Sequence, residues 1–221
     1  MDLTPSLVLS MWTAGIAIGS ALVARWAIVG PGFSWLSGGV LVLSGAAAAA
    51  AGAGLVGWLG VLCAFGAALT ARRRTPSALL FAATGGLMLV AGFADSPVLP
   101  VISGALVLGG ITSEMLLGHW YLVDPQLPRW ALQALAIGSA TALIVDVVYL
   151  VVKGALDWGA GDEVLGWAFV VLSAMTALLI TAVSLALREP FYTAVMAATG
   201  LSYLAVLTSF GAVALGRLLA F

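Results

Sequence analysis

The sequence predicts an all-α bundle of membrane-spanning helices, and three observations carry that prediction. Of 221 residues, 63% are hydrophobic and 8% are charged, where a soluble domain carries about a quarter charged residues. Apolar runs of about 20 residues, enough to cross the hydrocarbon of a bilayer, can be drawn eight times along the chain. Helix breakers fall between them at loop spacing: Gly30-Pro31-Gly32, Thr75-Pro76, Ser96-Pro97, Asp124-Pro125 with Pro128, Gly159-Ala160-Gly161 and Glu189-Pro190.

The runs are Leu7–Val29, Trp35–Ala53, Leu55–Thr70, Ser77–Phe93, Val98–Val123, Trp130–Val152, Val164–Leu187 and Tyr192–Leu219. The third is the least regular, because Gly57, Gly60 and Gly66 interrupt it. Thr75 and Pro76 read as the N-cap and first residue of the fourth helix. In the second, the run Gly45–Gly52 holds nothing larger than alanine. It predicts a helix buried near the bundle axis, where small residues allow close approach; the alternative is a pore lining. Gly85-Gly86 and Gly109-Gly110 read as helix contact points.

Basic residues set the orientation. Eight alternating spans put Arg25, Arg72, Arg73, Arg74, Arg129 and Arg188 on one side, and only Lys153 and Arg217 on the other. The second side also takes Asp2, Asp95, Asp157, Asp162 and Glu163. The positive-inside bias then places the Arg72–Arg74 loop in the cytoplasm and both termini outside. The expected location is the cell's inner membrane. The N-terminal Met-Asp-Leu-Thr-Pro has no basic region or cleavage site, so a removable signal peptide is not expected.

The two halves resemble each other. Residues 24–31 align with 118–125 at an offset of 94, Trp35 with Trp130 at 95, Arg74-Thr75-Pro76 with Arg188-Glu189-Pro190 at 114, and residues 82–85 with 197–200 at 115. Offsets that grow in steps fit duplication of a four-helix unit, divided as residues 1–96 and 97–221. An even number of spans per unit makes the repeats parallel, related by an axis along the membrane normal.

Ionisable groups inside hydrocarbon are costly and so mark candidate sites. The repeat aligns Glu114 with Ser20, His119 with Arg25 and Asp146 with about Ala51, so the chemistry gathers in the second half. Glu114 sits about 15 Å from the cytoplasmic end of its helix. It shares its face with Gly110, Gly118 and Tyr121, which leaves two gaps for a backbone or a ligand. Its functional reading is proton transfer or a ligand hydrogen bond; its structural reading is a neutral acid bonded to an adjacent helix. Asp146 lies about 24 Å from the cytoplasmic end, with Tyr149 and Lys153 on the same face, and is either a proton inlet or an interhelix bond. Lys153 itself either snorkels or pairs with an acid.

His119 lies about 140° around the helix from Glu114, so the two do not share a ligand. His119, Tyr121 and Tyr149 are the candidate ligand-binding side chains. Arg25, Trp26, Trp120, Arg129 and Trp130 read as interface anchors, the tryptophans at headgroup level and the arginines reaching for phosphate. One histidine and one cysteine leave no set for a metal or bis-histidine haem, and Cys63 excludes an intramolecular disulfide. No nucleophile elbow, phosphate loop or dinucleotide pattern occurs. The net charge of −1 gives no footprint for nucleic acid.

Paired four-helix units also occur in quinol-binding membrane anchor subunits and in haem A synthases. The chain is similar to them in layout, carries no motif of either, and lacks the histidines haem A synthases need. The expected function is therefore a proton-handling subunit that binds a quinone or other hydrophobic ligand within a larger membrane complex or a homo-oligomer. The alternatives are a proton-coupled transporter or channel, and a structural or assembly subunit. A membrane subunit or transporter is favoured over a stand-alone enzyme.

Overall fold

The computed structural model describes residues 3–94, 96–154 and 163–220. Asp2, Asp95, Asp157, Asp162 and the Gly159–Gly161 breaker lie outside the described residues. The described chain is helical throughout. The helices are α1 (Pro5–Trp26), α2 (Pro31–Ala48), α3 (Gly54–Leu69), α4 (Arg74–Phe93), α5 (Val98–Tyr121), α6 (Arg129–Val152), α7 (Glu163–Ala186) and α8 (Tyr192–Ala220). Their bounds lie within a few residues of the apolar runs because chain breakers punctuate them. Thr4 caps α1 by accepting from the Leu7 amide at 3.3 Å, and Pro5 opens the helix. α4 begins earlier than the Thr75-Pro76 reading, since the Ser77 amide already bonds the Arg73 carbonyl at 3.1 Å. Pro76 falls in the first turn, where its missing N–H costs nothing.

Seven helical segments are long and apolar enough to cross a membrane, counting Pro31–Leu69 as one. That segment folds back on itself. A π turn at Ala49–Ala53 carries Gly52 at φ 130°, and Gly54 follows at φ 60°. Side chains larger than glycine are strained at such angles. Beyond the turn α3 runs back along α2: Gly38 abuts Ala68, Gly45 abuts Val61, and Gly57 abuts Ala49 and Ala53.

The helices close into two rings. In the first, α1 packs on α2 and α4, and α3 closes the ring between them; in the second, α5 packs on α6 and α8, and α7 closes it. The rings meet where α1 crosses α5, the two best-buried helices, with 67% and 78% of their most apolar windows inside the protein. α1 and α5 run parallel at a constant offset: Gly15 lies against Gly109, and Gly19 against Ser113. A Cβ on either Gly15 or Gly109 would fall on the other helix's backbone. Trp12 adds a hydrogen bond from Nε1 to Thr112 Oγ1 at 2.9 Å.

The expectation for the alanine-rich run is corrected. α2 and α3 form the most exposed segment, only 28% buried in its window, with Leu43, Leu55 and Leu62 facing outward. Its small residues serve the tight hairpin and its seat against Met88 of α4, and do not line the bundle axis. Of the paired glycines, Gly85, Gly109 and Gly110 are contact points, whereas Gly86 faces open space.

One end of the bundle gathers Arg25, Arg72–Arg74, Arg129 and Arg188. It is held by aromatic contacts: Trp26 on Trp130 at 5.0 Å, Phe33 on Trp120 at 6.4 Å, and Tyr121 stacked on Tyr192 at 6.3 Å. Lys153 and Arg217 lie at the other end. α6 and α7, at 24 residues each, outreach α2 and α3, at 18 and 16, so the second ring is the deeper one.

Candidate functional site

Glu114 sits on the inner face of α5, 2% exposed. All four helices of the second ring contribute to its surroundings: Ile111, Ala136, Ile180, Val183, Ser202 and Ala205. The Ser202 hydroxyl donates to Glu114 Oε2. The other oxygen, Oε1, is buried without a hydrogen-bond partner among the described residues. The cavity beside it measures about 10 Å³, room for roughly one water molecule. The gaps that sequence left at Gly110 and Gly118 are filled by protein. Ser139 of α6 lies over Gly110, and Thr199 of α8 lies over Gly118. These glycines let the neighbouring helices close around the acid.

Asp146, equally buried, has a different environment. Arg217 of α8 approaches it with both terminal nitrogens, at 2.7 Å to Oδ1 and 3.2 Å to Oδ2. Ser103 of α5 also donates to Oδ1. The same guanidinium donates to the Pro100 carbonyl at 2.6 Å. Gly104 makes room for it, because a Cβ there would meet the guanidinium. Arg217 is 1% exposed, and its Nε alone lacks a partner among the described residues. Sequence reasoning placed Arg217 at the outer end and left it unpaired. No local signal tied it to Asp146, which is 71 residues away and meets it only in the packed ring.

Of the two readings of Lys153, snorkelling or pairing with an acid, its exposure fits the first. Lys153 is exposed, with Nζ 6.0 Å from the Tyr149 ring centroid. A compact ammonium at a helix end reaches water easily, whereas a planar fork matches a buried carboxylate with two bonds.

The remaining candidates scatter. His119 points out of the bundle, exposed, while Tyr121 on the Glu114 face is 5% exposed and stacks on Tyr192. Tyr149 is half-buried. They do not converge with Glu114 on one pocket. Arg25 is exposed beside an apolar groove between α1 and α4. Arg129 clasps the α7–α8 turn, donating to the Glu189 carbonyl and to those of Pro190 and Phe191 at 2.7 and 3.3 Å. Among the described residues no three of His, Cys, Asp and Glu come together. A groove of about 350 Å³ lies between α6 and α7, lined by Leu143, Val147, Phe169 and Ser173 among others.

No family model, curated protein or solved structure matches this chain.

Proposed function

We propose that this chain is a proton-handling integral membrane protein whose exchanging group is Glu114. One observation carries the reading: a buried carboxyl with one oxygen bonded and the other free, beside a water-sized space where four helices meet. A buried acid with no neighbouring cation is cheapest uncharged. Losing its proton would create a charge that only Ser202 and an incoming water can solvate, so ionisation favours a parting of α5 and α8. That couples the proton to helix position. Asp146 is already neutralised by Arg217 and serves as the fixed clasp of the same ring. A hydrophobic co-substrate, a quinone included, would use the α6–α7 groove, since the space at Glu114 is far below the ~300 Å³ such ligands need. His119 and Tyr121 then belong to the membrane interface.

The topology that goes with this reading has eight crossings, with α2 and α3 each crossing once. The units 1–96 and 97–221 are parallel repeats, which the contact of residues 15 and 19 with residues 109 and 113 supports. The basic end faces the cytoplasm of a cell whose inner membrane holds the protein, and both termini face outside. Association with other membrane subunits or a second copy is part of the same proposal.

The test is proton flux into liposomes from the purified chain, driven by an imposed potential and followed with a pH-sensitive dye. Wild-type flux that Glu114→Gln abolishes, with the fold retained, is expected. Equal flux in the two proteins would remove Glu114 from the role. A structural subunit is the second reading, favoured by the interhelix ties Glu114–Ser202 and Asp146–Arg217. It predicts no flux from either protein and no quinone in an organic extract.

A further inference from the structure

A cavity of about 150 Å³ opens at the basic end of the first ring, where the α1–α2 turn meets the α3–α4 turn. Val29, Gly30, Pro31, Ser34, Arg72 and Arg74 wall it. Three features of separate origin converge there. Arg72 and Arg74, both exposed, line it, and neither has an ion pair or hydrogen bond among the described residues. α2 and α4, of 18 and 20 residues, both begin at this wall with no side chain bonded to their first amides. Open helix starts carry partial positive charge and donors aimed outward. Ser34, 5% exposed, lines the cavity with a hydroxyl that has no hydrogen bond among the described residues. No carboxylate lines the cavity.

We propose that this cavity binds a phosphate-bearing anion, supplied as free phosphate or as the headgroup of an anionic lipid. Two guanidinium groups, two helix starts and a free hydroxyl give a tetrahedral oxyanion donors from several directions. The space is below the ~300 Å³ that drug-sized ligands fill, so it takes a phosphate or small headgroup and not a nucleotide. A lipid source also has a lane for its chains. The α1–α4 groove of about 380 Å³, walled by Ile18, Leu22, Ala78 and Leu79, carries Arg25 and Thr75 at this same end. The site is independent of Glu114.

The experiment uses the whole chain in phosphatidylcholine nanodiscs, titrated with inorganic phosphate by calorimetry, then repeated with phosphatidylglycerol in the disc. Saturable binding at one site per chain is expected. Arg72→Gln or Arg74→Gln should weaken it by about tenfold or more, and Ser34→Ala should weaken it to a smaller extent. Arg73→Gln, whose side chain is not part of the wall, should leave it unchanged. Each single arginine substitution keeps five of the six basic residues at this end, so orientation is preserved. Competition by phosphatidylglycerol assigns the lipid; phosphate binding that the lipid does not affect assigns the free anion. Absence of saturable binding by both probes, or equal weakening by Arg73→Gln, overturns the proposal.

Discussion

Glu114 and Asp146 are both buried acids in the second ring, on helices that touch, yet their surroundings differ. Asp146 meets a guanidinium on both oxygens and a serine besides. Glu114 has one serine and an unbonded oxygen. A fully compensated charge fixes geometry, and a half-compensated acid can change state. The difference teaches that burial alone does not define an acid's environment. What surrounds the charge decides.

The strongest way to break the comparison is to remove the cation. Arg217→Met leaves Asp146 charged and unpaired and should cost about 3–5 kcal/mol, read as a shift in detergent unfolding. Adding Asp146→Leu to Arg217→Met should recover most of that loss, since an apolar pair of similar size carries no uncompensated charge. A double variant as unstable as the single would show that the pair does more than neutralise.

A smaller effect is expected at the crossing of the rings. Gly109→Val drives a side chain into the backbone of α1 at Gly15, a clash that should cost roughly 1–3 kcal/mol. It should weaken both rings alike, and loss confined to one would mean they fold independently. Next comes Ser202→Ala, which removes the one hydrogen bond to the Glu114 side chain among the described residues and should cost about 1 kcal/mol in unfolding experiments. Glu114→Gln keeps the shape and a hydrogen-bonding group, so its stability should change less than that of Ser202→Ala while flux disappears. His119→Ala lies at the small end, within about 0.5 kcal/mol, because the side chain is exposed and outside both networks.

The helices were legible because apolar length and Gly/Pro punctuation are local properties. Gly109 was legible as a helix contact point, and it meets Gly15 of α1. Glu114 stood out since an acid in an apolar run is conspicuous by itself. Its partner did not, because Ser202 is one of many serines in apolar helices and its role depends on how α8 is rotated. Arg217 was missed for a related reason: 71 residues separate it from Asp146, and only the packed ring brings them to the same depth. The alanine-rich run misled because close packing at an axis and a tight reversal ask for the same small residues. Gly52 and Gly54 were the distinguishing signal, as the positions whose backbone angles need glycine.

The Asp146–Arg217 clasp also bears on how the protein is made. Asp146 enters the membrane with α6, and its counter-charge is still 71 residues away on the ribosome. At 5–20 residues per second that is roughly 4–14 s of synthesis. Throughout that interval the nascent chain holds an acid in lipid without its cation. Synthesis of α8 supplies the cation, so the second ring is electrostatically complete only once α8 packs. A chain without Arg217 keeps Asp146 as a buried acid with no cation, the kind of uncompensated charge that is strongly destabilising.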